Sequence, residues 1–149
     1  MRMILALAAA AMAAPAPVQS ADETALLRTV RALGDATSGQ RIGNGQAADK
    51  IVYLGRSGGR IVVTSVAALL PGGDWVDPPA GAIAVLRTRA SAAEPADVAY
   101  ALRIGMPVFI VGEWASPPVI LEIGSQGSAA RLREIDARGV AGPWRTPAG

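Results

Sequence analysis

The stretch from Gly81 to Gly124 constrains the fold more than any other: GAIAVLRTRASAAEPADVAYALRIGMPVFIVGEWASPPVILEIG. Ala82–Leu86 is a continuous apolar run, the pattern of a central strand buried on both faces. It breaks into a polar segment carrying Arg87 and Arg89. Glu94-Pro95-Ala96-Asp97 then opens a helix over Pro95–Ile104. Proline suits a first helical turn, acidic residues there complement the helix dipole, and Val98, Ala99 and Leu102 supply an apolar face. Gly105 ends the helix. Val108–Val111 and Val119–Ile123 read as two further strands. The expected fold class is therefore α/β, with α+β as the alternative: one domain with a mixed central sheet, an N-terminal helix and a helix after the central strand.

The flanking segments fit that plan. Asp22–Leu33 repeats Leu26, Leu27, Val30 and Leu33 at helical spacing, with Gly34 placed to stop it. Asp35–Asp49 is polar and glycine-rich, a loop. Gly43–Ala48 matches G-x-G-x-x-A, but it follows a polar loop and precedes a strand, the reverse of a dinucleotide site. Ile51–Leu54 and Ile61–Val66 flank Gly58-Gly59 and read as a hairpin. Arg56 and Arg60 beside that turn are candidates for an anion-binding nest. Prolines and glycines exclude regular structure over most of Ala67–Pro79, and Trp75 within it reads as an anchor packed on the core. Leu132 and Ile135 fit a short strand or a helical turn. Residues 138–149 form an extended tail.

Composition narrows the chemistry. The chain has no histidine and no cysteine, which removes Ser–His and Cys–His catalysis, His-bearing zinc sites and disulfides. Lys50, the sole lysine, has no Ser–Lys motif around it. Asp74 and Asp77 fall short of the roughly 6–8 oxygens calcium takes. A carboxylate pair remains. Glu94 and Asp97, about one helical turn apart, are either first-turn helix charges or the acid–base pair of a periplasmic hydrolase.

The N-terminus, MRMILALAAAAMAA, places Arg2 before an apolar run and small residues. This is the layout of a secretory signal peptide, assigned to residues 1–21, with the mature start between Ala14 and Asp22. The run is shorter than the ~20 residues a membrane span needs. The expected location is periplasmic or secreted, with no membrane span after cleavage. Without Arg2 the chain carries 13 basic and 12 acidic residues. They are interspersed, so no basic face marks a nucleic-acid partner.

The strand–loop–helix unit resembles the core of the JAB/MPN (JAMM-type) metallopeptidases. That family sets an H-x-H-P motif at the end of a central strand, then S-x-x-D opening a helix, then a strand like G-x-P-x-F-V-V. Its two histidines and the aspartate bind zinc, and an upstream glutamate acts as general base. Here Arg87-Thr88-Arg89-Ala90 stands at H-x-H-P, Glu94-Pro95-Ala96-Asp97 at S-x-x-D, and Gly105-Met106-Pro107-Val108-Phe109-Ile110-Val111 at the later strand. Upstream, Gln46 and Asp49 are the nearest polar residues to the expected glutamate. Guanidinium groups do not ligate zinc. The resemblance thus implies a JAB-like domain over residues 22–137 that binds no metal and no cofactor, with Arg87, Arg89, Glu94 and Asp97 in a degenerate site. It implies a pseudoenzyme acting as a binding or interaction module for a protein or a small anionic ligand. A purely structural accessory protein is a further expectation.

Overall fold

The computed structural model describes residues 20–37, 49–69, 75–89, 93–112 and 117–147. Residues 1–19 of the segment read as a signal peptide, the Gly43–Ala48 motif, Gln46, Asp74 and residues 113–116 lie outside the described residues, as do the side chains of Asp49 and Arg89.

Helix α1 (Ala21–Thr37) leads into strands β1 (Asp49–Ser57), β2 (Arg60–Leu69) and β3 (Ala84–Arg89). Helix α2 (Pro95–Ile104) and strands β4 (Val108–Gly112), β5 (Val119–Gln126) and β6 (Ala129–Ile135) follow. The six strands form one sheet in the order β2-β1-β3-β4-β5-β6. Among the described residues only β3 and β4 run parallel, joined through α2; every other described pair is antiparallel. The described residues therefore form a single α+β domain with a mixed sheet and two helices. The α+β alternative describes it because one parallel pair sits among hairpins.

Strand alternation sorts the core into two layers. Val52, Leu54, Ala84, Leu86, Phe109, Val111 and Ile120 meet Leu27 and Val30 of α1. On the other face Ile51, Tyr53, Val85, Val108, Ile110 and Ile123 meet Tyr100 and Ala101 of α2. The central β3 and β4 are consequently covered on both sides, as their unbroken apolar runs require.

Local signals set several boundaries. The Ser20 hydroxyl accepts the Glu23 N–H at 3.1 Å and caps α1. Gly58 and Gly59 take φ values of 56° and 76°, the two-residue turn that closes β1 on β2. Gly105 ends α2 at φ 67°.

Other expectations are corrected. Gly34 does not stop α1, which runs on to Thr37. A Cβ at Gly34 would lie 2.8 Å from Ile120 Cδ1 and 3.3 Å from Val111 Cγ2. The glycine serves the close approach of α1 to the sheet, not a helix end. The buried side of α2 is Asp97, Tyr100 and Ala101, whereas Ala99 and Leu102 are exposed. Strand β2 extends to Leu69, into the segment read as irregular. Leu132 and Ile135 lie on strand β6. After the turn at Gly139, residues 140–147 run extended and are tied to β6. Leu132 and Arg145 exchange backbone hydrogen bonds of 2.8 and 2.7 Å, and Gly142 N–H donates to Glu134 O at 2.8 Å.

The tight seat of α1 has a measurable consequence. In an exposed helix, Gly→Leu stabilises by most of the ~1 kcal/mol propensity gap. Here Gly34→Leu is expected to lower the unfolding free energy by about 2 kcal/mol through overpacking against Ile120, read from urea denaturation. A stabilised variant would contradict the close contact.

Candidate functional site

In open sheets with parallel strands, ligands tend to sit outside the carboxyl ends of those strands. Here that place is the junction between the end of β3 and the first turn of α2. Arg87 and Thr88 occupy the end of β3, paired with Ile110 and Val111 of β4. Both are buried, Arg87 with 1% of its surface exposed. The Thr88 hydroxyl accepts the Lys50 N–H at 2.9 Å, fastening β3 to the start of β1.

Asp97, at the third helical position of α2, is fully buried. Its Oδ2 accepts the Glu94 backbone N–H at 2.8 Å, which satisfies a donor at the open helix end. Its Oδ1 accepts the Trp75 indole N–H at 2.9 Å. The carboxylate thus sits at the positive end of the helix dipole with an N–H on each oxygen.

Trp75 then gathers the other side chains. Its ring stacks on Tyr100 with centroids 4.1 Å apart and planes 9° from parallel. The Arg87 guanidinium lies 4.8 Å from the Trp75 ring centroid, a cation–π contact. Tyr100 and Tyr53 both donate to the Val76 carbonyl oxygen, at 2.8 and 3.3 Å. Arg103 lies over the Tyr100 ring and pairs with Asp77. A segment rich in proline is thereby pinned over the end of β3 by one indole and one carbonyl.

Arg87 and Asp97, singled out in the sequence, are therefore brought together, with Trp75 between them. Glu94 is exposed at the start of α2 and lines a separate apolar groove with Val98, Leu121 and Leu132. Arg89 is the last residue of β3, paired with Gly112. Arg87, Glu94 and Asp97 all have further interaction partners. Arg56 and Arg60 do not converge. Arg56 is paired with Ile61 and Arg60 with Ser57, so strand alternation sends them to opposite faces of the hairpin. Arg56 lies 3.7 Å from Asp22 instead. Sequence reasoning placed Trp75 on the core but missed its partners, and it missed Tyr53 and Tyr100 altogether. The only available signal was their aromatic character in a chain with 4% aromatic residues.

The zinc that the JAB/MPN metallopeptidases bind does not fit these residues. Arg87 offers no lone pair, so the position of the first histidine supplies no ligand beside Asp97. Among the described residues no three acidic side chains converge on a point that suits a metal ion. Acid–base hydrolysis needs two groups within reach of one substrate bond. Asp97 lies under Trp75, whereas Glu94 opens on the groove.

The chain matches no protein-family model, no curated protein and no solved structure. No helix among the described residues is long and apolar enough to cross a membrane.

Two measurements test the cluster. Trp75→Ala is expected to cost about 3 kcal/mol of stability. Trp75→Phe, which keeps the stack and loses the bond to Asp97, is expected to cost about 1–2 kcal/mol. The tyrosines give a pH signature. Burial, then the neighbouring Tyr53 hydroxyl, push Tyr100 up to about 12, and burial with Asp77 nearby raises Tyr53. Stability from these raised groups is intact below the ordinary tyrosine pKa of 10.0 and is lost as pH climbs toward about 12. Phenolate absorbance is therefore expected to stay low at pH 10 and to rise only above it. Normal titration of both tyrosines in the folded protein would contradict the buried placement.

Proposed function

We propose that this chain is an exported, non-catalytic JAB-like domain that works as a binding or interaction module. The Arg87–Trp75–Asp97 stack fills the place where the family binds its metal. One observation carries this reading: Trp75 hydrogen-bonds Asp97 while its ring carries Arg87. These are the residues at the second-motif aspartate and the first-motif histidine of the resemblance. The strand–helix–strand order around them, with β3 parallel to β4, supports it further. Arg87, joined to Asp97 through the indole, offers a metal no lone pair there, which supports the non-catalytic reading.

The partner class is a protein or a small anionic ligand. The divergence of Arg56 and Arg60 favours a protein over an anion at the hairpin. Periplasmic or secreted placement rests on the signal-like Met1–Ala14 segment.

Zinc titration of the full chain, followed by calorimetry, tests the reading. The expected result is no saturable one-to-one binding, and no change when Asp97 is replaced by Asn. Stoichiometric zinc binding that Asp97→Asn abolishes would restore a metal centre and end the pseudoenzyme reading.

A further inference from the structure

The two edges of the sheet are treated differently. The β6 edge is covered by the chain itself, through the Leu132–Arg145 and Ile135–Ala141 bridges. At the other edge β2 has one neighbour among the described residues, β1. Strand β2 is ten residues long, and Ile61–Leu69 reads IVVTSVAAL without a charge or a proline. Native edge strands usually avoid strand addition by being short, charged or proline-bearing. Apart from Arg60 at its start, β2 has none of these protections, and Val63 and Val66 stand 41% and 57% exposed.

One protective device is present, a bulge, and its position argues for pairing. The β1–β2 register slips between Tyr53 and Leu54, which pair with Ser65 and Val63 and leave Thr64 as the extra residue. Side chains then alternate out of step on either side of Thr64. Ile61, Val63, Val66 and Ala68, opposite Arg56, Leu54, Val52 and Lys50, lie on the α1 face. Val62, Ser65 and Ala67 lie on the α2 face with Gly55, Tyr53 and Ile51.

This pattern reads the same in both directions about the Thr64–Ser65 peptide. An antiparallel pair related by a two-fold axis perpendicular to the sheet must match residues pointing to the same face. A strand without a bulge would place Val63 and Val66 on opposite faces. With the bulge, Val63 of one copy meets Val66 of the other, and Ile61 meets Ala68, all on the α1 face. Both exposed valines are covered and both free backbone rows are paired.

We propose that β2 is a homodimer interface, in which a second copy of this chain adds its own β2 antiparallel and extends the sheet across a two-fold axis. The interface is isologous and closed, so it yields dimers and not filaments. It is independent of the Arg87–Trp75–Asp97 stack and of the JAB-like reading.

Sedimentation velocity of the full chain over a wide concentration range tests this. The expected result is a reversible monomer–dimer equilibrium. Val63→Lys and Val66→Lys are each expected to weaken it by about tenfold, because each change occurs twice per dimer and edge lysines oppose strand addition. Val140→Lys, at a valine 49% exposed away from this edge, is expected to leave it unchanged. Hydrogen exchange in β2 is expected to slow as concentration rises. The proposal is overturned by a monomer at every concentration, by a dimer indifferent to both β2 lysines, by one that Val140→Lys dissolves equally, or by open-ended growth.

Discussion

The buried carboxylate of Asp97 holds the junction of this fold together. A carboxylate removed from water is tolerated only when hydrogen bonds and favourable charge replace its hydration. Asp97 obtains these from the first turn of its own helix and from the Trp75 indole. Because the carboxylate cannot give up either donor cheaply, the first turn of α2 and the segment around Trp75 fix each other. Tyr100 and Ala101, one turn further along the same helix side, then settle on the sheet. Arg87 reaches the group through the face of the indole. Three separate parts of the chain are in this way joined at one point.

The far side of the sheet uses a second charged cluster with another purpose. Arg133 grips Glu122 of the neighbouring strand through two nitrogens and also pairs with Glu23 of α1. Burial alone would lower the Arg133 pKa, but the hydrogen bonds to Glu122 and Glu23 outweigh it and raise the value. Trp144 lies 4.1 and 4.2 Å from the Arg131 and Arg133 guanidinium carbons. Gly124 leaves room for its ring, since a Cβ there would sit 2.9 Å from Trp144 Cη2. These contacts draw residues 141–145 onto β6 and cover that edge, while β2 has one strand neighbour among the described residues.

Features set by local chemistry were legible in the sequence. Pro95 and Gly105 bracket α2, Gly58-Gly59 closes the first hairpin, and unbroken apolar runs mark β3 and β4. Features set by distant partners were not. The inward side of α2 depends on Asp97 meeting Trp75, 22 residues earlier. An aspartate on a helix ordinarily reads as solvent-facing. Gly34 looked like a helix stop because nothing nearby announces Ile120. The β6 pattern was hidden because Arg131 and Arg133 occupy the face that α1 and Trp144 cover, where apolar residues would have shown the alternation. In the candidate site, Arg87 and Asp97 were identifiable from the resemblance. The indole that joins them was not, because their separation in sequence says nothing of what lies between them in space.

A double-mutant cycle between Trp75→Phe and Asp97→Ala, each of which removes the indole–carboxylate hydrogen bond, measures the joint most directly, because it isolates the energy the two side chains share. The account requires a coupling of about 1–2 kcal/mol in unfolding free energy, the size of a buried hydrogen bond to a charged acceptor. Additive effects, equal within roughly 0.5 kcal/mol, would mean that Trp75 and Asp97 act independently. The arginine–indole–carboxylate stack would then not be what fills the end of β3.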